Sequence, residues 1–286
     1  MAASPVPSRL ARMLRQRTIQ TLIYLPLILV AIYFGGWVFA VGAGLVLALA
    51  ADEYGAIFRR APRRPARLLL IVAAVAFVLA RQLAAFEPTP WLLAGFLMLA
   101  MSWHLVDYER GAETPGTDFA LTVAGGLYIG WLGAYLISLR QLPGGLWWLL
   151  LVLPTVWLAD VGAYLVGSAI GRRQMTRRLS PKKTWEGFVA GIALATLGGW
   201  GLAAALSRAA GAPAGLQPWV GLLLGVCLSL LTPLGDLGVS MMKRELGIKD
   251  TGSRLPGHGG FFDRMDSWLW AVAISYHLIS WLPAVG

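Results

Sequence analysis

Between Gly235 and Asp266 the chain reads GDLGVSMMKRELGIKDTGSRLPGHGGFFDRMD, its richest run of reactive side chains. The first residues close an apolar run and read as the end of a helix, which turns about 100° per residue. That turn places Asp236, Ser240 and Lys243 on one face, with Arg244 at its edge. A charged, glycine-rich loop follows, carrying Lys249, Asp250, Arg254, His258, Gly259 and Gly260. Glycine lets backbone N–H groups approach phosphate oxygens because no Cβ intervenes. Asp263, Arg264 and Asp266 then open the next apolar run. Carboxylates among so many cations point to a metal–phosphate site. Oxygen donors suit Mg²⁺, which is usually held by one or two carboxylates plus substrate phosphates. A solvated basic loop would explain the cations, but neither the glycines nor the flanking acids.

A second constellation lies upstream. Asp160, Tyr164 and Gly167 are spaced to share one helical face. The segment SPKKTWEG follows at 180–187. Ser180 as cap and Pro181 at the first position predict a helix starting there, with Lys182, Lys183 and Glu186 in its first turns. A helix N-terminus beside two lysines is a seat for a polyphosphate. A charged helix start at a membrane interface accounts for this segment almost as well.

The elements that must position these groups are membrane spans. Apolar residues make up 57% of the 286-residue chain and charged residues 13%, with a mean hydropathy of +0.66. A soluble domain carries about 25% charged residues, so a soluble enzyme is excluded. The expectation is an all-α, polytopic membrane helix bundle. A span needs about 20 mostly apolar residues, and nine runs qualify: 19–36, 37–53, 68–86, 91–106, 119–139, 147–170, 187–206, 217–242 and 267–283. The layout divides into a basic segment over 1–18, N-terminal spans over 19–145 and a catalytic region over 146–286. With the N-terminus cytoplasmic, 21 of the 24 basic residues fall on the inner side, as the positive-inside rule requires. Arg140 and Arg208 remain in outer loops, and Arg81 lies near an outer span end. The net charge of +10 is therefore topological and calls for no nucleic acid. Cys227 is the single cysteine, which excludes intrachain disulfides and Cys-based zinc sites.

Carboxylates within spans are costly and are functional candidates by default. Asp160 and Asp236 qualify. Asp52 and Glu53, at the end of the second span, are explained equally well by polar helix contacts. Gly126 and Gly130 form a GxxxG that admits either internal packing or a homodimer.

The run Ser240-Met-Met-Lys243-Arg244, then Lys249-Asp250, then Leu255 to Asp266 resembles the signature of the phosphatidate cytidylyltransferases, or CDP-diacylglycerol synthases. No residue departs from it over this stretch of 27, and 157–270 shares the likeness more loosely. The resemblance implies that CTP and phosphatidate give CDP-diacylglycerol and pyrophosphate. It also implies a Mg²⁺-dependent paired metal centre, with Asp236 and Asp263 as metal ligands and a second cation that can be monovalent. Lys243, Arg244, Lys249, Arg254 and Arg264 are candidates for holding either substrate's phosphates. His258 fits a phosphate contact or loop-shaping role better than that of an obligatory base. An ion-coupled transporter using Asp160 and Asp236, or a cytidylyltransferase for another lipid phosphate, are the competing readings. The expected setting is the bacterial cytoplasmic membrane with the site facing the cytoplasm.

Overall fold

The structure, a computed structural model, describes residues 22, 24–58, 62–209, 211–213, 215–255 and 259–282. The arginines before residue 19, Arg59, Arg60 and His258 lie outside the described residues. Helices dominate: α1 (Tyr24–Phe34), α2 (Gly36–Ile57), α3 (Arg67–Ala84), α4 (Thr89–Glu109), α5 (Pro115–Gly125), α6 (Tyr135–Gln141), α7 (Gly145–Ile170), α8 (Trp185–Leu206), α9 (Pro218–Glu245) and α10 (Phe262–Ser280). A π-helical turn, Gly126–Trp131, joins α5 to α6, so that Pro115–Gln141 makes one long crossing. Seven of these helical stretches are long and apolar enough to span a bilayer. α1 is shorter, and α10 begins with Asp263, Arg264 and Asp266. Each of the nine expected spans thus has a helix, the start of the first lying outside the described residues. Leu83, Met98 and Leu197 are among many large apolar side chains left exposed, a surface suited to lipid. The chain is an integral membrane protein.

One local expectation fails. Ser180–Thr184 is a β-strand, β2, paired antiparallel with β1 (Gln174–Thr176). The cap of α8 is Thr184, whose Oγ1 accepts from the Gly187 N–H at 3.2 Å. The Ser-Pro pair reads as a helix start only locally; here the tight return from α7 makes a hairpin instead. Lys182 and Lys183 therefore alternate across a strand rather than following a helical turn. Only Lys183 pairs with Asp236, while Lys182 is exposed.

Small residues set how closely the carrier helices approach. α8 packs between α7 and α9. A Cβ on Gly191 would lie 2.7 Å from the Ala159 carbonyl, and one on Gly225 2.5 Å from that of Ala195. Gly126 faces Phe96, and Gly130 the backbone of Ala74. The GxxxG is thus spent on packing within the chain. Asp160 and Tyr164 are exposed, whereas Gly167 packs against Thr184 and Gly187. Their shared face is split between protein and surroundings.

Candidate active site

The last turns of α9, the hairpin and the first turn of α10 converge at one end of the bundle. Ser240 donates to Asp236 Oδ1 at 3.4 Å, and Lys183 Nζ lies 2.6 Å from Asp236 Oδ2. One turn on, Lys243 Nζ lies 2.7 Å from Asp263 Oδ1. The other oxygen, Asp263 Oδ2, accepts from the Thr251 N–H at 2.8 Å, the Thr251 hydroxyl at 3.0 Å and the Gly260 N–H at 3.0 Å. The two ion pairs differ in access. The Lys183 and Asp236 side chains are 28% and 35% exposed, those of Lys243 and Asp263 11% and 4%. Asp236 is therefore the more accessible of the two carboxylates, while Asp263 is an internal anchor of the loop.

Three carboxylates share one electrostatic field. Asp160 and Asp266 each feel the charges of Asp236 and Arg264; Asp160 also feels Lys183, and Asp266 feels Lys243. Asp266 Oδ1 accepts from the Ser267 N–H at 2.7 Å. Like charges this close need cations to hold them together, and the lysines and Arg264 supply these.

The glycine-rich loop rests on the far end of α2. Glu53, 3% exposed, accepts from the Phe262 N–H at 3.1 Å. Its neighbour Asp52 binds both Arg67, at the start of α3, and Arg254, the latter at 2.6 Å. A Cβ on Gly252 would lie 2.7 Å from Glu53 Oε1; one on Gly260 would collide with Glu53 Oε2 and sit 2.5 Å from Thr251 Oγ1. These two glycines make room for the protein's own carboxylate. Gly259 has a left-handed φ of 81°, which favours glycine.

The expected residues are thus only partly gathered. Asp236, Ser240, Lys183, Lys243, Asp263, Asp160 and Arg264 form the cluster. Arg244 turns to the hairpin, donating to the Leu179 carbonyl at 3.3 Å and to that of Ile248 at 3.4 Å. Arg254 is committed to Asp52. Lys249 and Asp250 are exposed, and a Cβ on Gly259 would sit 3.5 Å from Asp250 Oδ1. Thr251 belongs to the arrangement without having been singled out, and Glu53 and Asp266, which the sequence marks as candidate carboxylates with no role assigned, join it. Asp266 had a signal, lying three residues after Asp263 on the same helix; Thr251 had none.

For a hard cation the donor set at Asp236 fits: oxygen ligands, one carboxylate oxygen with only a long hydrogen bond, and two further acids in range. Asp263 fits less directly, because protein donors engage both its oxygens. Among the described residues no three His, Cys, Asp or Glu groups close into a metal cage, which Mg²⁺ does not require.

Residues 15–282 match the family model described as "Cytidylyltransferase family". A phosphatidate cytidylyltransferase of Mycobacterium bovis is 35% identical over 204 residues, 67% of this chain and 64% of the relative. One of Synechocystis is 29% identical over 298 residues, covering 92% and 96%. One of Bacillus subtilis is 39% identical over 156 residues, covering 54% and 55%. The matched part of this chain spans less than two thirds of the mycobacterial relatives, 64% and 60% of their lengths.

Proposed function

Because this chain belongs to the Cytidylyltransferase family, we propose that it transfers the CMP moiety of CTP to phosphatidate, giving CDP-diacylglycerol and pyrophosphate for phospholipid synthesis. The observation that carries this is the half-open Lys183–Asp236 pair backed by the closed Lys243–Asp263 pair. Such a site offers both cations for phosphates and a carboxylate for a metal, at one end of a membrane bundle. A soluble nucleotide and a membrane-held lipid can meet there.

The chemistry asks little of a general base. The second pKa of a phosphate monoester is about 6, so phosphatidate is largely dianionic at pH 7. Its phosphate oxygen attacks the α-phosphorus of CTP, the bond to the β-phosphate oxygen breaks, and pyrophosphate leaves with that electron pair. The obstacle is an anion approaching a polyanion. Lys183, 28% exposed beside Asp236, can turn its ammonium to a phosphate; Arg264 adds charge beside Asp160. Lys243 and Thr251 hold Asp263, and through it the loop. Bound Mg²⁺, held by Asp236 with Asp160 or Asp266 alongside, would neutralise phosphate charge and align the displacement. A second cation would occupy the same acidic field.

The test supplies CTP to the purified protein in nanodiscs containing phosphatidate or a polyprenyl phosphate, with and without Mg²⁺. The account expects a CDP-lipid from phosphatidate, and only with Mg²⁺. Efficient use of polyprenyl phosphate alone would move the assignment to another acceptor. A transporter is disfavoured because the acids gather at one end of the bundle instead of lining a path.

The site faces the cytoplasm of a bacterial cell in this reading, supported by the 21 inner basic residues and by the bacterial relatives. A cysteine at Ser253 should then react with an impermeant thiol reagent only after cells are opened. Labelling in intact cells would reverse the orientation.

A further inference from the structure

At the end of the bundle opposite the carboxylates, the start of α7 and the ends of α3 and α6 enclose a cavity of about 310 Å³. Its polar lining includes Gln82, Arg140 and Gln141. Leu146 and Trp147 also line this cavity, and the same two residues line an apolar groove of about 660 Å³ between α1 and α7. Leu29, Val30, Tyr33 and Leu150 complete that groove. A polar chamber and an apolar channel thus share a wall.

The chamber is cationic. Arg140 Nε donates to the Ile32 carbonyl at 2.8 Å and Nη2 to the Tyr33 carbonyl at 3.3 Å. Among the described residues no carboxylate pairs with it. Next to Gln82, the 1% exposed Arg81 lays its guanidinium over the Phe86 ring at 3.2 Å, and among the described residues no carboxylate pairs with it either. These are two of the three cations that the charge asymmetry leaves on this side, where Glu87 in the loop after α3 carries a negative charge, so net positive charge is concentrated here. The first turn of α7 adds the positive end of a helix dipole.

We propose that this composite is a binding site for one anionic phospholipid. Its phosphodiester sits in the Arg140 chamber and an acyl chain runs in the α1–α7 groove. Arginine suits phosphate oxygens, the groove suits hydrocarbon, and Tyr33 and Trp147 stand where one gives way to the other, as interfacial aromatics do. The bound lipid would fasten α1 to α7. It is separate from the lipid substrate, whose phosphate must reach the other end of the bundle.

The experiment compares retention of phosphatidylglycerol and phosphatidylcholine by the full chain, using native mass spectrometry and thermal denaturation after exchange from mixed nanodiscs. One phosphatidylglycerol per chain should be retained in preference and should raise the melting temperature. Arg140→Gln should weaken that preference about tenfold or more, the loss expected for a charge-assisted hydrogen bond. Leu150→Trp, which fills the groove with Arg140 intact, should also lose retention while leaving CMP transfer at saturating substrate unchanged. It decides the matter alone if Arg140→Gln fails to fold for want of its α1 contacts. Equal retention of the two lipids, or retention unchanged in a folded Arg140→Gln or Leu150→Trp variant, would overturn the proposal. So would inorganic phosphate giving the same stabilisation as phosphatidylglycerol, since the chamber would then hold a free anion.

Discussion

Asp236→Asn should fold normally and lose about 10²- to 10³-fold in kcat/KM, while Asp263→Asn should lose as much and also melt earlier. The difference follows from their surroundings. Asp236 is half open and keeps one oxygen with only a 3.4 Å hydrogen bond from Ser240. Its amide analogue keeps the shape but removes the charge that pairs with Lys183 and would bind a metal. Losing one preorganised electrostatic contact typically costs that much in rate. Asp263 additionally ties Lys243, Thr251 and Gly260. An Asn amide must turn an N–H₂ toward either Lys243 or the loop donors, and a hydrogen bond to a charged group is worth about 1.5–3 kcal/mol. The double variant should be little slower than the worse single one, because groups acting as a unit are not additive. Turnover at matched folded fraction, across a range of Mg²⁺ concentrations, reads this out. A normal maximal rate with unchanged Mg²⁺ dependence in Asp236→Asn would remove that residue from the site.

Glu53→Ala and Gly260→Ala should each cripple the enzyme from a distance, and together they should do less harm than the sum of the two. Glu53 is buried beneath the loop and accepts from the Phe262 N–H. Removing it orphans that donor, at a cost of about 1–3 kcal/mol, and leaves a void under Gly252 and Gly260. Adding a methyl at Gly260 drives it into Glu53 Oε2 and Thr251 Oγ1, an overpacking cost of about 1–3 kcal/mol. Both changes unseat Thr251, Asp263 and hence Lys243. In the double variant the new methyl occupies part of the space that Glu53 vacated. Melting temperature and turnover of the two singles and the double form a thermodynamic cycle. Strict additivity would show that Glu53 and the loop do not act through their contact.

The bundle was readable because lipid imposes a single pattern, about 20 apolar residues per crossing with cations left to the inner side. Asp236, Ser240 and Lys243 were readable because helical spacing alone puts them together. What was not legible depended on distant partners. Ser180-Pro181 carries a helix-start signal, yet the return from Gly171 imposes a hairpin. Gly260 reads in sequence as a phosphate approach; the group that it and Gly252 admit is Glu53, more than 190 residues earlier in the chain. Arg254 reads in sequence as a phosphate ligand; in the structure its guanidinium pairs with Asp52. Gly126 and Gly130 read equally as packing within a chain or between chains, and the positions of Phe96 and Ala74 show packing within the chain.

In the proposed reaction this cluster directs attack on the α-phosphorus of CTP. The most direct test uses CTP labelled separately at the α- and γ-phosphorus, with the protein in phosphatidate nanodiscs and Mg²⁺. α-Label should appear in the lipid and γ-label in pyrophosphate, in equal amounts. γ-Label on the lipid, or hydrolysis of CTP with no label transferred, would contradict it.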